Sequence, residues 1–433
     1  MKYRYRSDEE MKDSEVEWIG KIPKDWQLSR IDKEFKVRNE KVSDKKFAPL
    51  SVTKHGILPQ LESVAKTDNE DNRKKVCIGD FVINSRADRK GSCGVSDYNG
   101  SVSLICNVLT PKELNSRYIH NLFRNYYFSE EFYRWGSGIV DDLWSTNIER
   151  MKKINIPIPI EKEQNKIAKF LDEKTSDFDN IISKKEKLIE KLEEAKKSLI
   201  SEVVMGKVKV VKNGEDFEIV KRNDSDMKDS GVEWIGKIPK DWEVKKIKYL
   251  MGECKGRSES GLEEPLSMSQ KYGLIKTSEM DNIPNQALSL IGNKLVDIDD
   301  LVFNKLKPHL GVFSVSKYKG IVSPDYAVYR AKERVDIKYL EYLFRTPLYI
   351  NEFKKYSTGV GAGLTRLYTD QLFNIYGITP DYEEQRKIKI VINKKLNDID
   401  KTVEKMNLQI EKLKEAKQAL ISEAVTGKIE ILD

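Results

Sequence analysis

The side chains best suited to recognise hydrogen-bonding groups on a ligand lie in several short polar segments of this sequence. They are Thr53, Lys54, His55, Arg73, Lys74, Lys75, Asn84, Ser85, Arg86, Arg89, Lys90, Trp144, Ser145, Ser269, Gln270, Lys271, Asn304, Lys305, Lys307, His309, Thr365 and Arg366. Arg and Lys can donate to the O6 and N7 atoms of guanine, and Asn or Gln can pair with adenine. The run Arg73 to Lys75 also suits phosphate contact, with plain solvated surface as the alternative. We therefore expect these segments to contact nucleic acid.

Most of these segments occupy matching places in an internal duplication. Residues 11–26, MKDSEVEWIGKIPKDW, recur at 227–242 with a single difference. Residues 194–208 recur at 415–429, EAKQALISEAVTGKI, with most positions identical. A period of about 220 residues is far too long for a solenoid, whose repeats run to about 45 residues. The sequence predicts two similar halves related by a pseudo-twofold axis.

The segments that differ between the halves are the better candidates for recognition. Segments that are alike serve what the halves share, namely the fold and the docking of partners, whereas segments that differ can read two different targets. Three differing pairs lie between matching landmarks: 84–90 with 304–310, 51–55 with 267–272, and 138–145 with 359–366. These pairs hold most of the polar residues named above.

Each half ends in a predicted long helix. Neither Pro nor Gly interrupts 161–205 or 383–426, and Gly206 and Gly427 stand where C-terminal caps belong. The apolar stripes, at three- and four-residue steps or their sums, are Ile167, Phe170, Phe178, Ile181, Leu188, Leu192, Ala195, Leu199 and Val203, and Ile388, Val391, Ile399, Val403, Met406, Ile410, Leu413, Ala416 and Leu420. A helix of about 45 residues is about 65 Å long at ~1.5 Å per residue. We expect the two helices to pair antiparallel within one chain; homodimerisation through each helix is the alternative.

Shorter elements follow from local patterns. Strands are predicted at 80–83 and 300–303, helices at 116–134 and 335–356, and extended chain at the proline-containing segments 154–160 and 374–380. The tryptophan-rich segment WIGKIPKDW, present in both halves, is interpreted as a structural plug that packs its tryptophans. The ends LISEVVMGK and LISEAVTGK are interpreted as capped helix ends.

The predicted fold class is α+β, with two pseudo-twofold-related mixed α/β target-recognition domains joined by two long antiparallel helices that form a coiled-coil spacer. The predicted bounds are 1–158 for the first domain, 159–207 for the first spacer helix, 208–226 for a linker, 227–379 for the second domain and 380–433 for the second spacer helix with a C-terminal tail. Such a spacer holds two binding surfaces at a fixed separation, as recognition of a linear polymer such as DNA demands.

The doubled motifs resemble those of a known family, the specificity subunits of type I restriction-modification systems. The motifs that carry the resemblance are WIGKIPKDW at 18–26 and 234–242, P-x-x-x-E-Q at 159–164 and 380–385, and the LISE…GK segments at 199–207 and 420–428. They occur twice in the family's order and cover essentially the whole chain. The first ten residues depart from the pattern and have no role that the sequence reveals.

The resemblance implies that each recognition domain reads one half of a bipartite site in double-stranded DNA, with the coiled coil setting the gap. It also implies two methyltransferase (modification) subunits as partners, which carry S-adenosylmethionine and methylate adenine. Restriction/translocase subunits would join with ATP and Mg. This chain itself is expected to bind no cofactor and no metal. We also expect it to be cytoplasmic and to have no membrane partner.

Composition excludes several other classes. Lys+Arg is 77 against Asp+Glu 70. The resulting net charge of +7 is too small to indicate nucleic-acid binding by itself. The four cysteines fit no disulfide or metal spacing, and neither a signal peptide nor a membrane span is visible. The two Gly-Lys pairs are followed by Val and Ile, so neither is a P-loop, and no adenine-methyltransferase [ND]PP[FYW] or HExxH motif is present. The sequence therefore predicts a non-catalytic targeting subunit, with a coiled-coil scaffold that binds proteins through its two domains as the alternative.

Overall fold

The computed structural model describes residues 2–60, 72–138, 144–214, 216–269, 272–280, 289–306, 308–359 and 365–432. The chain divides into a first unit, Met1–Glu186 with Asn407–Asp433, and a second unit, Lys187–Met406. Each unit therefore contains one predicted recognition domain together with part of each long helix. No helix among the described residues is both long enough and apolar enough to cross a membrane.

The α-helices of the described chain include four short ones before the first long helix and three between the two long ones. They are α1 (Ile31–Glu34), α2 (Ser116–Phe123), α3 (Tyr126–Arg134), α4 (Ile148–Met151), α5 (Glu161–Val204), α6 (Ile337–Phe344), α7 (Pro347–Lys355), α8 (Thr369–Asn374) and α9 (Tyr382–Val425). Short 3-10 helices lie at Asp8–Glu10, Ala87–Arg89, Asp224–Asp226, Ile247–Tyr249, Thr277–Glu279 and Pro308–Leu310.

The strands follow the same order in both halves of the chain. In the first half they are β1 (Tyr3–Tyr5), β2 (Met11–Asp13), β3 (Lys21–Pro23), β4 (Gln27–Arg30), β5 (Phe35–Val37), β6 (Lys41–Val42), β7 (Leu50–Thr53), β8 (Gly56–Pro59), β9 (Arg73–Val76), β10 (Phe81–Asn84), β11 (Cys93–Val95), β12 (Gly100–Val102), β13 (Cys106–Pro111) and β14 (Asn155–Ile158). In the second half they are β15 (Val208–Asn213), β16 (Asp216–Lys221), β17 (Met227–Asp229), β18 (Lys237–Pro239), β19 (Glu243–Lys246), β20 (Met251–Glu253), β21 (Leu266–Ser269), β22 (Gly273–Lys276), β23 (Lys294–Val296), β24 (Leu301–Asn304), β25 (Phe313–Val315), β26 (Gly320–Val322), β27 (Tyr326–Ala331), β28 (Thr358–Gly359), β29 (Thr365–Arg366), β30 (Tyr376–Thr379) and β31 (Ile429–Ile431).

The core of each recognition domain is a four-stranded antiparallel sheet. Its order is β11-β10-β13-β5 in the first unit and β25-β24-β27-β20 in the second. The register is the same, because Phe81 lies opposite Val95 and Leu109 just as Leu301 lies opposite Val315 and Tyr329. Strand β10 is buried at every position, as a central strand covered on both faces must be. The predicted strands 80–83 and 300–303 are confirmed at β10 and β24.

The predicted helices 116–134 and 335–356 are each broken into two. The break in the first pair is at Asn125, whose side chain accepts a hydrogen bond from the backbone N–H of Tyr127 at 3.0 Å and so caps α3. In the second pair Pro347 occupies the first turn of α7, where its missing N–H costs nothing. The extended segments are confirmed, since β14 pairs with β4 and β30 pairs with β19.

The first ten residues contribute one strand to a two-stranded ribbon of the first unit. The second unit forms the equivalent ribbon from a β-hairpin. Strand β1 pairs antiparallel with β31, with Tyr3 opposite Ile431. In the second unit β15 and β16 pair in the same way, with Val210 opposite Ile219. The segment predicted as a linker thus contains a β-hairpin, and the two ends of the chain form the matching ribbon of the first unit.

The long helices begin and end within a residue or two of the predicted positions, and both carry the predicted glycine caps. Gly206 and Gly427 adopt φ of +71° and +73°. Lys207 N–H donates to Glu202 O at 2.9 Å, and Lys428 N–H to Glu423 O at 2.8 Å, which are the long hydrogen bonds of a Schellman ending.

The two long helices pack antiparallel in both units, which confirms intramolecular pairing. In the first unit Lys417 of α9 pairs with Asp179 of α5 at 2.6 Å, and Lys185 donates to Gln409 at 2.8 Å. In the second unit Lys196 of α5 pairs with Asp400 of α9. Moving forward along one helix thus moves backward along the other.

The buried seam of α5 differs from the predicted stripe. Its less exposed positions alternate by four and three residues, and they are Leu171, Thr175, Phe178, Ile182, Lys185, Ile189, Leu192, Lys196, Leu199 and Val203. Ile181 and Leu188, which the apolar pattern assigned to the stripe, are each 44% exposed. In α9 Lys417 rather than Ala416 lies on the less exposed side. The seam therefore follows a heptad that includes lysines, whose alkyl stems pack while their ammonium groups reach partners at the edge.

Candidate nucleic-acid interface

Within each half, the repeated motifs contact one another and form a structural frame. Trp26 of the first WIGKIPKDW segment donates its indole N–H to Glu163 of the first P-x-x-x-E-Q segment at 2.7 Å, and Arg6 forms an ion pair with the same carboxylate. Burial raises the pKa of Glu163, and the Trp26 hydrogen bond and the Arg6 charge oppose that rise only in part. Trp26 is 1% exposed, in agreement with its interpretation as a structural plug.

The second unit repeats this frame with its own residues. Trp242 donates to Glu384 at 3.1 Å, and Arg222 pairs with Glu384 at 2.8 Å. The neighbouring glutamines also match, because Gln164 accepts from the Asn115 N–H and Gln385 from the Asp336 N–H, both at 2.8 Å.

Each frame is closed by the long helix that comes from the other repeat. A Cβ placed on Gly427, at the end of α9, would lie 2.5 Å from Pro23 and 3.1 Å from Trp26. A Cβ on Gly206, at the end of α5, would lie 2.5 Å from Pro239 and 3.2 Å from Trp242. The first WIGKIPKDW segment thus holds the second helix end, and the second segment holds the first. Each unit needs chain from both repeats to complete its core.

On this frame the structure brings two of the three differing segments together. In the first unit Thr146 N–H donates to Ser85 O and Ala87 N–H donates to Trp144 O, both at 2.9 Å. In the second unit Leu367 N–H donates to Lys305 O at 3.0 Å. The candidates at 84–86 and 144–145 therefore form one surface, and those at 304–305 and 365–366 form its counterpart.

The surface of the first unit is anchored by buried groups and edged by cations. Asn84 is buried and accepts from Arg86 N–H at 3.1 Å, and the Trp144 indole donates to Tyr133 O at 2.8 Å. Arg89 lies 3.5 Å from Asp88 with 67% of its side chain exposed, while Lys90 pairs with Glu130 at 2.5 Å.

The turn at 53–55 joins the same region through a shared cavity. Lys54, His55 and Lys90 line a cavity of about 1110 Å³ in the first unit, together with residues of α2, α3 and the two long helices. The turn is closed by its own hydroxyl, because Thr53 Oγ1 donates to Gly56 O at 3.0 Å and accepts from His55 N–H at 3.0 Å.

The predicted phosphate run on β9 is held largely within the fold. Arg73 is buried and donates to the side chain and carbonyl of Ser101. Lys74 donates to Cys106 O at 2.7 Å, and burial lowers its pKa. Lys75 forms an ion pair with Glu40 at 3.0 Å and keeps a quarter of its side chain exposed. Phosphate contact by these residues stays a prediction, with Lys75 the best placed of the three.

The second unit places more charged side chains at the matching surface. Lys305 donates to Pro324 O at 3.2 Å, and burial, followed by the positive charges of Lys294 and Arg366, lowers its pKa. Arg366 pairs with Asp325 at 2.9 Å, and Thr365 lies opposite Gly359 in the ribbon β28–β29.

The other candidates of the second unit are partly described. Asn304 accepts from Leu306 N–H at 3.0 Å, which matches Asn84 in the first unit. Ser269 accepts from Tyr272 N–H at 3.3 Å at the end of β21. Gln270, Lys271 and Lys307 lie outside the described residues, and of His309 only the backbone, in the 3-10 helix Pro308–Leu310, is described.

Sequence reasoning missed two residues that hold the turn at 53–55. Arg124, the residue after α2, donates to Lys54 O at 2.5 Å, and His120 Nδ1 accepts from Val95 N–H at 3.3 Å beside the same turn. Burial, with Arg124 and Arg117 adding to it, lowers the pKa of His120 to about 4. The matching residue in the second unit is Glu341, which accepts from Val315 N–H at 3.1 Å. The signal was the change from His120 to Glu341 within the similar segments 117–124 and 338–345.

Comparison with known proteins finds similarity to one family. The family described as Type I restriction modification DNA specificity domain matches residues 23–194. A specificity subunit provisionally assigned to the type I restriction enzyme MjaX of Methanocaldococcus jannaschii is 26% identical, with 95% of this chain and 96% of that protein covered. The type I restriction enzyme MjaVIII specificity subunit of the same organism is 26% identical, and the match covers 65% of this chain and 63% of that protein.

Solved structures agree on the fold. A chain from a study of complex assembly and conformational transition of the type I R-M system has a TM-score of 0.67 at 14% identity, with 94% of this chain and 99% of that chain covered. The HsdS subunit from Thermoanaerobacter tengcongensis has a TM-score of 0.50 at 16% identity, with coverage of 94% and 98%. The predicted fold class, with two mixed α/β domains and long helical spacers, is confirmed.

The duplicated α+β frame carries unlike polar surfaces on matching backbone and ends each half in a long helix. Residues 23–194 match the type I restriction modification DNA specificity domain, and the whole chain is similar to type I restriction enzyme specificity subunits. These similarities confirm the resemblance drawn from the motifs and do not favour the scaffold alternative.

Proposed function

We propose that this chain gives a type I restriction-modification complex its DNA sequence specificity, with each unit reading one half of a bipartite site. One observation carries the proposal: the two units share a backbone frame but present different side chains from it. Asn84 and Asn304 each accept a hydrogen bond from the backbone N–H two residues later. The residue that directly follows the asparagine is Ser85 in the first unit and Lys305 in the second. A shared frame with unlike donors is what reading two different base sequences requires.

The proposed role is non-catalytic. The partly buried titratable groups of the frame, Glu163 and Glu384, are engaged by tryptophan and arginine partners that hold the fold together. We propose that S-adenosylmethionine is held by two modification subunits, and ATP with Mg by restriction/translocase subunits. This chain would then contribute the aim of the reaction and none of its reacting groups.

The long helices offer a place for those partners to dock. Ile181 and Leu188 on α5 are 44% exposed, and Ile390 and Leu408 on α9 are 47% and 58% exposed. Apolar side chains on the outer faces of otherwise charged helices suit burial against another subunit. We propose that modification subunits cover these faces, while the coiled coil sets the unspecific gap between the half-sites.

The test is to co-express the full chain with a cognate modification subunit and to map methylated adenines across a genome. Two unlike short motifs around a fixed gap are expected. A complex that assembles but adds no methylation, or one that methylates a single continuous motif, would contradict the proposal. The double variant I181E/L408E, which places a carboxylate on the outer face of each long helix, should stay folded but fail to assemble with the modification subunits.

A further inference from the structure

Of five equivalent positions around the paired recognition segments, four differ in charge between the two units. In the second unit they hold three cations and two carboxylates. In the first unit they hold one cation and four neutral side chains. The second-unit residues are Lys294, Lys305, Arg366, Glu253 and Asp325; the first-unit residues, in the same order, are Lys74, Ser85, Ser145, Val37 and Ile105.

The hydrogen-bond ladders establish this equivalence. Lys74 lies opposite Val102 in β9–β12, as Lys294 lies opposite Val322 in β23–β26. Val37 lies opposite Leu109, as Glu253 lies opposite Tyr329. The carbonyls of Ser85 and Lys305 accept matching hydrogen bonds, from Thr146 N–H at 2.9 Å and from Leu367 N–H at 3.0 Å, which places Ser145 and Arg366 at one position. Ile105 and Asp325 each precede the first residue of β13 or β27.

The two added carboxylates support two of the three cations. Glu253 pairs with Lys294 at 3.1 Å, and Asp325 pairs with Arg366 at 2.9 Å. Lys305 has no carboxylate at ion-pair distance among the described residues, and its described hydrogen bond goes to Pro324 O. Two of its three donor positions thus remain for a ligand, and Arg366 keeps guanidinium donors beyond the one that it gives to Asp325.

The formal charge of the five positions is +1 in both units, since three cations less two carboxylates equals the single cation of the first unit. Attraction for the phosphate backbone therefore differs little between them at this place. What differs is the pattern of hydrogen-bond donors. The second unit has an ammonium group that donates to Pro324 O and a guanidinium group that pairs with Asp325, whereas the first unit has two hydroxyl groups. Both units would contact the same kind of backbone, so a difference in donors at matched positions points to bases.

We propose that Lys305 and Arg366 read guanine in the half-site of the second unit, and that Ser85 and Ser145 occupy these reading positions in the first unit. The inference rests on the proposed function and deepens it. Lys and Arg donate to the O6 and N7 acceptors that guanine presents in the major groove, whereas a serine hydroxyl carries no such preference. Arg366 is further fixed by Tyr368, whose ring centre lies 5.5 Å from the guanidinium carbon, and a fixed side chain loses less entropy on binding.

The first test needs only the wild-type chain in its complex with a modification subunit. The half-site read by the second unit is identified by exchanging residues 304–310 and seeing which half of the methylated motif changes. The inference expects guanine in that half. A bipartite motif whose second half lacks guanine on either strand overturns the inference and leaves the proposed function standing, whereas the absence of a bipartite motif overturns both.

The second test uses K305Q and R366Q, with K245Q as a control of equal charge change. Lys245 lies on β19 of the same unit and pairs with Glu243. Each recognition variant should lose discrimination for guanine by about 5- to 150-fold at one position of the second half-site, with the first half-site unchanged. The control should leave both half-sites unchanged.

Two outcomes overturn the inference. One is weakening that is uniform over all sequences, with the slope of log affinity against log salt reduced by about 0.9, which marks a phosphate contact. The other is a motif identical to that of K245Q. Should R366Q unfold because Asp325 loses its partner, the variant K305S/D325I/R366S places at these three positions the residues that the first unit already accommodates and leaves no carboxylate without its partner. It is expected to fold and to lose guanine in the same way.

Discussion

The indole N–H of Trp26 lies 2.7 Å from a carboxylate oxygen of Glu163, and this bond joins two repeated motifs that are 137 residues apart in the chain. The same carboxylate receives Arg6, so that one partly buried acid connects the strand β1 region, the tryptophan plug and the beginning of α5. Glu384 does the same for Arg222, Trp242 and α9. The motifs that carry the resemblance to the family thus supply contacts that build the frame, and none of these four contacts involves a residue proposed to read DNA.

Removing this acid should destabilise the unit that contains it. In E163A the guanidinium of Arg6, whose side chain is 11% exposed, loses its partner and stays largely buried. We expect the free energy of unfolding to fall by about 2–4 kcal/mol, since an unpaired buried charge costs more than the pair contributes. Urea titration of the full chain measures the change. E190A, on an exposed face of α5, serves as the control, and equal effects of the two variants would contradict the account.

Two glycines with similar positive φ allow backbone strain to be separated from close packing. Gly20 and Gly427 have φ of +70° and +73°, but a Cβ on Gly20 meets nothing within 4 Å, whereas one on Gly427 meets Pro23 at 2.5 Å. G20A should therefore cost about 1 kcal/mol through φ alone. G427A should cost about 2–4 kcal/mol, because the clash with Pro23 is added. Thermal unfolding of both variants tests this, and a G427A variant no less stable than G20A would show that the helix end does not seal against Pro23.

The sequence was sufficient for the long helices and for the packing of the tryptophan-rich segments, because breaker-free helices and repeated motifs are local signals. It was not sufficient for the seam of α5, where counting only apolar residues assigned Ile181 and Leu188 to the interior. Lys185 and Lys196 lie there instead, since a lysine stem packs while its ammonium reaches Gln409 or Asp400. The recognition surface shows the same limit. Spacing in sequence does not reveal that 84–86 meets 144–145, because ladder register across distant segments makes that contact.

His120 predicts a pH dependence confined to the first unit. Its pKa is lowered from 6.5 to about 4 by burial and by Arg124 and Arg117, so the unfolded chain binds this proton more readily than the folded chain. The corresponding stability, ~3 kcal/mol at ~1.4 kcal/mol per pH unit, is fully present above pH 6.5 and is lost as the pH falls toward 4.

The variant H120Q measures this contribution. Glutamine can accept from Val95 N–H but does not titrate, so the dependence of stability on pH between 6.5 and 4 should become shallower than in the wild type. Urea midpoints at pH 7 and pH 5 give the comparison. Slopes that are identical in the two proteins would show that His120 does not bind the proton on unfolding.

The heptad seam of the long helices makes the proposed spacing adjustable. Adding seven residues after Lys185 and seven before Gln409, where the two helices face each other, keeps the phase of both seams. Each helix then gains about 10 Å at ~1.5 Å per residue, which corresponds to about three base pairs at ~3.4 Å each. The methylated motif should keep both half-sites and widen its gap by about three base pairs. Lengthening α5 alone is the control, because unmatched helices disturb the seam and should reduce stability. A gap that stays the same in the doubly extended chain would show that the coiled coil does not set the spacing.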